Sequence, residues 1–194
     1  MRQIEITLRV NNNLKEVDSI LKNQGFNKIR TSRIEDMYLK NKNIKLCKRN
    51  ILRVLSKCIL IRYLKVGNDE FKKLTYKKKD YDNGKVISEV KYNVEINDIN
   101  KAYSLFNEIG FEKVIDVKYD VIVYEKDGLE LCFQNVENLG LLLEVENEKD
   151  FMSCSNEEII KEKKKMVKNI SKLGLDISKD YDIKKAYELI KQSL

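Results

Sequence analysis

The sequence contains no histidine and no proline, and only 7 of its 194 residues are glycine. Without histidine there is no Ser-His or Cys-His catalytic pair, and the most frequent general base of enzymes is missing. Any catalysis must therefore use carboxylates, amines, guanidinium groups or a metal ion. Because the chain also lacks a linker-like segment rich in proline, glycine or serine, we expect one compact domain with a helical C-terminal part.

The four cysteines, Cys47, Cys58, Cys132 and Cys154, show no C-x-x-C spacing. Since there is no histidine to complete a zinc site, they are predicted to be reduced and structural. No apolar run is long enough for a signal peptide or a membrane span, so we expect a cytoplasmic protein.

Charged residues are frequent: 38 Lys and Arg stand against 31 Asp and Glu, which gives a net charge of +7. Solvated surfaces would explain them, and so would a basic site for phosphates or nucleic acid. Nucleic-acid binding is the less favoured class, because aromatic residues make up 8% of the chain and are not interleaved with the basic runs as stacking platforms would require.

About eight segments alternate apolar and polar residues as strands with one apolar face do. Turn signals at Asp82-Asn83-Gly84 and Asp127-Gly128 favour mostly antiparallel pairing. The predicted strands are Gln3–Val10, Ile29–Lys40, Ile44–Lys48, Cys58–Val66, Phe71–Asp80, Val86–Ile96, Phe111–Glu125, Leu129–Val136 and Leu139–Asn147.

Helical periodicity predicts helices between these strands and throughout the C-terminal part. They are expected over 14–21, Asn50–Ser56, Asp98–Ile109, from Ser155 to just before Gly174, and Asp182–Ser193. Ser155 and Glu158 form a capping box, and the Lys161–Lys165 run is predicted to be the solvated face of that helix. A weak duplication, Gly25-Phe26-x-Lys28-Ile29 and Gly110-Phe111-x-Lys113-Val114, suggests two β-α-β halves that share one sheet.

Glu144 and Glu146 leave the same face of the last predicted strand. Such a pair is either a solvated outer face or a metal site, and the strand alone does not decide between them. If the sheet closes into a barrel of about eight strands, one face becomes a lumen wide enough for a small ligand. Barrels usually turn their apolar face inward. Here, however, helices with apolar stripes could cover that face from outside, and the charged faces would line a tunnel.

A polyphosphate bound with a divalent cation would suit a tunnel lined by charges of both signs. Short motifs that could supply such charges follow one another along the chain.

These motifs are kept in part. E-x-E-x-K reads Glu5, Thr7, Arg9; D-x-Y reads Asp36, Tyr38; L-R-I-R reads Ile59, Leu60, Ile61, Arg62; L-T-x-K reads Leu74, Thr75, Lys77; E-x-E reads Glu89, Lys91; K-x-R reads Lys118, Asp120; D-x-V reads Gln134, Val136; and L-G-x-F-x-E-x-E reads Leu139, Gly140, Leu142, Glu144, Glu146.

In the order and spacing of these motifs the chain resembles the CYTH family, also called triphosphate tunnel metalloenzymes, from Ile4 to about Asn147. That family includes class IV adenylyl cyclases, thiamine triphosphatases and tripolyphosphatases. The ending Lys185-Ala186-Tyr187-Glu188-Leu189-Ile190 is similar to the C-terminal helix of the bacterial cyclase-like branch.

The resemblance implies an α+β fold, a mostly antiparallel closed β-barrel around a triphosphate tunnel, with helices packed outside and at the C-terminus. One CYTH-like domain would span 1–194, with the barrel and two helices in 1–150 and the C-terminal helices in 151–194. The implied metal ligands for Mg²⁺ or Mn²⁺ are Glu5, Glu144 and Glu146. The implied phosphate ligands are Arg9, Arg62, Lys77 and Lys118, and further tunnel residues are Glu89, Lys91, Thr7 and Gln134.

The implied activity is metal-dependent chemistry on a nucleoside or inorganic triphosphate, either cyclisation of ATP to cyclic AMP and pyrophosphate or triphosphate hydrolysis. No catalytic residue beyond the ligands is assigned. Thr7, Leu60, Lys91, Asp120 and Gln134 depart from the motifs, and losing such groups usually costs orders of magnitude in rate. The alternative is therefore a weakened or inactive tunnel protein that binds a phosphorylated ligand or polyphosphate. Neither a membrane nor a nucleic-acid partner is expected, and a homodimer is left open.

Overall fold

A computed structural model gives the structure of residues 4–82, 85–147 and 149–194. Within these ranges the chain forms eight strands and five helices. The strands are β1 (Ile4–Arg9), β2 (Asn27–Asn41), β3 (Lys57–Val66), β4 (Asp69–Asp82), β5 (Lys85–Glu95), β6 (Phe111–Lys126), β7 (Leu129–Val136) and β8 (Gly140–Asn147). The helices are α1 (Leu14–Asn23), α2 (Ile51–Ser56), α3 (Ile99–Glu108), α4 (Asn156–Ser171) and α5 (Lys185–Ser193).

All eight strands belong to one sheet, in the order β1-β8-β7-β6-β2-β3-β4-β5. Every neighbouring pair is antiparallel, which confirms the predicted α+β class and mostly antiparallel pairing. Residues directly opposite each other on antiparallel strands share a face. The register therefore decides which charged side chains meet on one side of the sheet.

One predicted strand is wrong, and one predicted turn lies outside the described residues. Residues 44–48 form an irregular turn instead of a strand. The side chain of Asn50 holds this turn, because its Oδ1 accepts from the Cys47 N–H at 2.9 Å and its Nδ2 donates to the Lys45 carbonyl at 2.9 Å. Such side-chain bonds compete with strand pairing. The predicted Asp82-Asn83-Gly84 hairpin falls partly on residues 83 and 84, which are not among those described.

The sheet curls until its two edge strands, β1 and β5, approach each other. Lys91 Nζ on β5 lies 3.9 Å from Glu5 Oε2 on β1, and α4 contacts both strands. In the described residues no ladder joins the two edges. The predicted closure into a complete barrel is therefore not confirmed, and the observed shape is a curled half-barrel.

The C-terminal segment 176–183 occupies part of the free edge of β1. The Thr7 N–H donates to the Tyr181 carbonyl at 2.9 Å, and the Ile183 N–H donates to the Thr7 carbonyl at 3.1 Å. Further along, the Ser178 N–H donates to a β1 carbonyl at 2.9 Å. This segment stands where a closing strand would stand, and it leads directly into α5.

Two apolar cores lie on opposite faces of the sheet. On the convex face, the even-numbered residues of β1 pack with α1 and α4, and Ile6 and Leu8 have no exposed surface. On the concave face, α2 and α5 fill one end of the curl, where Ile51 and Ile190 pack against Val117 and Leu142. The rest of the concave face carries the charged residues. The helices thus cover the apolar sides, and this leaves a polar interior.

Two helix predictions need correction. The apolar stripe predicted on α3 (Ile99, Ala102, Leu105, Phe106 and Ile109) is only partly covered: no residue of α3 is fully buried, and Leu105 and Ile109 are 61% and 59% exposed, although the helix contacts β3 and β6. The predicted solvated run in α4 contains Lys163, which is only 3% exposed. Burial lowers the pKa of Lys163, while the Asp182 and Glu5 carboxylates oppose this shift. No helix in the described part of the chain is both long and apolar enough to span a lipid bilayer.

The predicted duplication agrees with the structure in its order of elements. The segments β1-α1-β2 and β5-α3-β6 are both strand, capped helix and strand. Asn13 and Asp98 accept backbone N–H bonds as the N-caps. Gly25 and Gly110 follow the helices with φ of 83° and 92°, a conformation that costs little only for glycine.

We expect Leu143→Ala to lower the free energy of unfolding by about 3 kcal/mol, because it opens a cavity in the convex core. Leu143 has no exposed surface. Urea denaturation would measure the change, with Leu105→Ala on the exposed side of α3 as the control. Equal losses for the two variants would contradict the assignment of this core.

Candidate metal and phosphate site

The charged end of the concave face encloses a cavity of about 440 Å³. It is lined by side chains from β1 to β8 and from the first residues of α5. Its charged members on the strands include Glu5, Arg30, Arg62, Lys73, Lys77, Lys79, Lys91, Glu144 and Glu146. The charged faces of β1, β4, β5 and β8 therefore point inward, as the tunnel hypothesis requires.

Three carboxylates meet in this cavity: Glu5, Glu144 and Glu146, each able to place one oxygen so that all three lie within 4.8 Å of one another. The register explains the meeting, because β1 and β8 pair with Glu5 opposite Glu146 and Thr7 opposite Glu144. Burial raises the pKa of Glu146; the Lys91 ammonium opposes the rise, and the neighbouring Glu5 and Glu144 carboxylates add to it. The structure thus brings together the three predicted metal ligands.

Lys91 lies among carboxylates from three strands. Its Nζ is 3.9 Å from Glu5 Oε2, 3.9 Å from Glu89 Oε1 and 4.0 Å from Glu146 Oε1. Burial by itself would lower the pKa of Lys91, but the facing carboxylates raise it above its ordinary value. At the position where the motif has a second acid, this chain therefore has a fixed positive charge.

Lys185, at the start of α5, places a second ammonium beside the carboxylates. Its Nζ lies 3.4 Å from Glu144 Oε2, donates to Gln134 Oε1, and sits 4.6 Å from the centre of the Tyr119 ring. Burial alone would raise the pKa of Glu144, but Lys185 and Lys91 hold it well below its usual range. Glu144 is therefore ionised and has a protein cation as its partner.

Three lysines of β4 and β5 surround Glu89. Lys77 Nζ is 3.3 Å from Glu89 Oε1, and Lys79 Nζ is 3.1 Å from Glu89 Oε2. Burial lowers the pKa of Lys77. The buried Oε1 of Glu89 accepts no hydrogen bond from the described residues, so its contact with Lys77 is ionic only. This part of the cavity has more positive than negative groups.

Arg62 is fixed by a fork of two bonds, from Nε and Nη2 to the two carboxylate oxygens of Asp36, both at 2.6 Å. Its Nη2 also donates to the Tyr119 hydroxyl at 3.2 Å. Asp36 is 2% exposed. Burial acts to lower the pKa of Arg62, but Tyr119 and Asp36 raise it well above its usual range. Two of the five guanidinium N–H groups are committed to the fork, so others can face the cavity.

The structure does not bring two predicted phosphate ligands to the cavity. Arg9 lies at the end of β1 and donates to the Leu139 carbonyl at 2.6 Å. Lys118 points to the convex side of β6, with its Nζ 3.5 Å from Glu35 Oε2. On β6 the apolar face is the concave one, because α5 packs against it. The one-residue alternation of a strand then turns Lys118 outward.

Of the four other predicted tunnel residues, Lys91, Thr7 and Gln134 line the cavity, whereas Glu89 lies behind the lining residues Lys77, Lys79 and Lys91. Thr7 and Gln134 are 5% and 3% exposed and line the cavity, next to the carboxylates that β1 and β8 supply. Gln134 accepts from Lys185 and donates to Cys132 Sγ at 3.6 Å. Uncharged side chains thus stand at two positions where the motifs have acids.

The site residues predicted from the sequence do not include Lys163, Lys184 or Lys185. For the last two a signal existed: they are the N-cap and the first residue of α5, and Lys184 makes no side-chain capping bond. Cations at the positive end of a helix are unfavourable, and local rules are broken most often at functional sites. Lys163 had no such signal, because it lies within a lysine run on an amphipathic helix.

A second cavity, of about 630 Å³, shares Arg30, Cys132, Glu144 and Glu146 with the first. The hairpin between β6 and β7 and the inner side of α4 complete its wall, with Met166 and Ile170 as apolar members. Two members of the carboxylate trio, Glu144 and Glu146, therefore line both cavities.

The trio fits a hard divalent cation. Mg²⁺ and Mn²⁺ prefer carboxylate oxygens, and metal–oxygen bonds of about 2.1 Å put neighbouring ligands about 3 Å apart. The three oxygens here, within 4.8 Å of one another, need only small side-chain movements to reach that spacing. Lys91 and Lys185 would have to share the same carboxylates with the ion.

Comparisons with known proteins agree with this geometry. A family model described as CYTH domain matches residues 1–176. A protein of Methanocaldococcus jannaschii named "Putative adenylate cyclase" is 30% identical over 190 residues, which cover 96% of this chain and 97% of that protein.

Two solved structures share the fold. A Pyrococcus horikoshii protein has a TM-score of 0.74 at 22% identity and covers 98% of this chain and 100% of its own. A Vibrio parahaemolyticus protein, also titled a putative adenylate cyclase, has a TM-score of 0.68 at 13% identity, with 99% and 98% covered.

Proposed function

This chain belongs to the CYTH domain family, and from that premise we propose that it is a metal-dependent enzyme acting on a triphosphate. The observation that carries the proposal is the meeting of Glu5, Glu144 and Glu146 with Arg62 and Lys77 in one cavity. Carboxylates that hold a divalent ion and cations that hold phosphate oxygens are the two groups that triphosphate chemistry needs.

The chain's own residues would act by positioning and by charge neutralisation. Glu5, Glu144 and Glu146 would hold Mg²⁺ or Mn²⁺, which when bound supplies Lewis-acid polarisation of the phosphate oxygens. Arg62, kept in one orientation by Asp36 and Tyr119, would bind a non-bridging phosphate oxygen with the N–H groups that these two residues leave free. Lys77 would neutralise charge that develops in the transition state.

We place ATP cyclisation to cyclic AMP and pyrophosphate first, because the Methanocaldococcus jannaschii relative carries an adenylate cyclase name. Hydrolysis of a nucleoside or inorganic triphosphate is the neighbouring reaction, since it needs the same phosphate contacts with water as the attacking group. The second cavity, with Met166 and Ile170 in its wall, offers a space in which the organic part of a substrate could lie beside the trio.

The test is a purified-protein assay with ATP, thiamine triphosphate and tripolyphosphate, each with Mg²⁺ or Mn²⁺. We expect cyclic AMP and pyrophosphate from ATP, or phosphate release from one of the three, and loss of turnover when EDTA removes the metal. Absence of turnover with all three substrates and both metals would reject the enzyme.

A non-catalytic triphosphate-binding protein is the second candidate. It is favoured by the lysines that already neutralise the carboxylates, with Lys91 about 4 Å from Glu5 and Glu146 and Lys185 at 3.4 Å from Glu144. This candidate predicts that tripolyphosphate raises the melting temperature without being turned over. A rise accompanied by turnover would reject it in favour of the enzyme.

A further inference from the structure

Lys185 is held in an electrostatically unfavourable place by the tertiary structure. It is the first residue of α5, where the helix dipole repels a cation, yet its side chain is only 16% exposed. Segment 176–183 is hydrogen-bonded to β1 immediately before it, and Ala186 and Ile190 anchor α5 in the concave core. The ammonium therefore enters the cavity because the chain on both sides of it is fixed.

The direct contacts of Lys185 are with one carboxylate and two uncharged groups. Glu144 Oε2 is at 3.4 Å, the Gln134 amide oxygen accepts a hydrogen bond, and the Tyr119 ring centre is at 4.6 Å. The Glu5 and Asp36 carboxylates also raise the pKa of Lys185, but they act less strongly than Glu144. The pairing with Glu144 is thus the main compensation for placing Lys185 here.

Glu144 also belongs to the carboxylate trio. A divalent ion on the trio and an ammonium beside the same carboxylate repel each other in a site of low dielectric constant. The positive charge of Lys185 would therefore lower the affinity of the site for a metal ion that arrives without a counter-anion. A triphosphate changes this, because its oxygens give the ammonium a new anionic partner in the same cavity.

We propose that Lys185 exchanges partners, from Glu144 in the free protein to a phosphate oxygen in the loaded one, and so couples metal binding to triphosphate binding. The proposal rests on the proposed metal and triphosphate site. Lys185 would weaken the binding of metal alone and strengthen the binding of triphosphate. Metal and triphosphate then bind together better than either binds alone, which is positive coupling between the two ligands.

Lys185→Met tests this, because it removes the charge and keeps much of the side-chain length. By isothermal titration calorimetry we expect Mn²⁺ alone to bind about tenfold more tightly to the variant than to the wild type. We expect tripolyphosphate in EDTA to bind about tenfold more weakly, since a charge-assisted bond is lost. Lys185→Arg, which keeps the charge, should restore the wild-type affinity for tripolyphosphate to a large extent.

The matched control is Lys191→Met, which removes the same charge from the exposed part of α5, where Lys191 lies 5.9 Å from the Tyr187 ring centre. It should change neither affinity. Lys185→Gln serves as the second variant if Lys185→Met does not fold. Circular dichroism and a thermal melt would establish folding for each protein.

The opposite signs of the two effects make the test decisive. A Lys185 variant that binds both Mn²⁺ and tripolyphosphate more weakly, or binds both as the wild type does, would overturn the exchange of partners. A purely structural role of Lys185 predicts one of these two results. The same holds if the wild type binds neither Mn²⁺ nor tripolyphosphate. If the opposite shifts are found but no triphosphate is turned over, the exchange stands and only the proposed enzymatic activity is rejected.

Discussion

The double substitution Glu144→Gln and Glu146→Gln is expected to reduce turnover of a triphosphate by at least about a hundredfold, since it removes two of three hard ligands from the metal site. Glutamine keeps the shape of each side chain and its ability to accept a bond from Lys185. The loss should therefore come from the missing charge. Steady-state kinetics with the best substrate of the assay would measure it, and Mn²⁺ binding followed by electron paramagnetic resonance should weaken in parallel.

The control for this variant is the pair Glu108→Gln and Glu157→Gln, which changes the net charge by the same amount at exposed positions in α3 and α4. It should keep wild-type turnover. If the Glu144 and Glu146 variant also kept the wild-type rate, the carboxylates would have no part in the reaction. The metal assignment would then be abandoned even if the protein proved to be an enzyme.

Arg62→Met is expected to lower the free energy of unfolding by about 3 kcal/mol, because it leaves the Asp36 carboxylate buried without its partner. Asp36 is 2% exposed, and both of its oxygens accept from Arg62 at 2.6 Å. Urea denaturation of wild type and variant would measure the loss. The same variant should bind tripolyphosphate more weakly, since a rigid cation is removed from the cavity wall.

Stability and ligand binding can be separated with the double variant Asp36→Asn, Arg62→Met. Removing both charges should recover much of the stability, because no unpaired buried charge remains. Tripolyphosphate binding should stay weak, because Arg62 is still missing. Recovery of binding together with stability would contradict a direct role for Arg62, and a double-mutant cycle without coupling would contradict the buried pair itself.

Much of the fold could be predicted from alternation and capping alone. Several features depend only on residues that are close together in the sequence, and short sequence patterns therefore predict them. They are the strand containing Glu144 and Glu146, the capping box at Ser155, and the glycines after α1 and α3. The predicted strand at 44–48 is wrong because the side chain of Asn50 makes its backbone bonds. When one side chain takes the backbone hydrogen bonds of a short segment, the hydrophobic pattern of that segment does not change, so the pattern still predicts a strand.

The sequence predicted the cavity residues correctly on those strands whose charged face is the concave face of the sheet. Glu5, Thr7, Lys77, Lys91 and Gln134 lie on the cavity as expected. Lys118 does not, because the helices at one end of the curl pack on the apolar face of β6 from inside. The same alternating pattern thus points charges inward on one strand and outward on another.

The sequence by itself determined which side chains share a face of a strand, because successive side chains of a strand point to opposite faces of the sheet. It placed Glu144 with Glu146 and Asp36 with Tyr38 before any tertiary structure was considered. Only the tertiary structure decided which face turns inward, because this depends on where the helices bury their apolar sides. It also decided that Lys185 meets Glu144, since the hydrogen bonds of segment 176–183 to β1 bring together residues 41 positions apart.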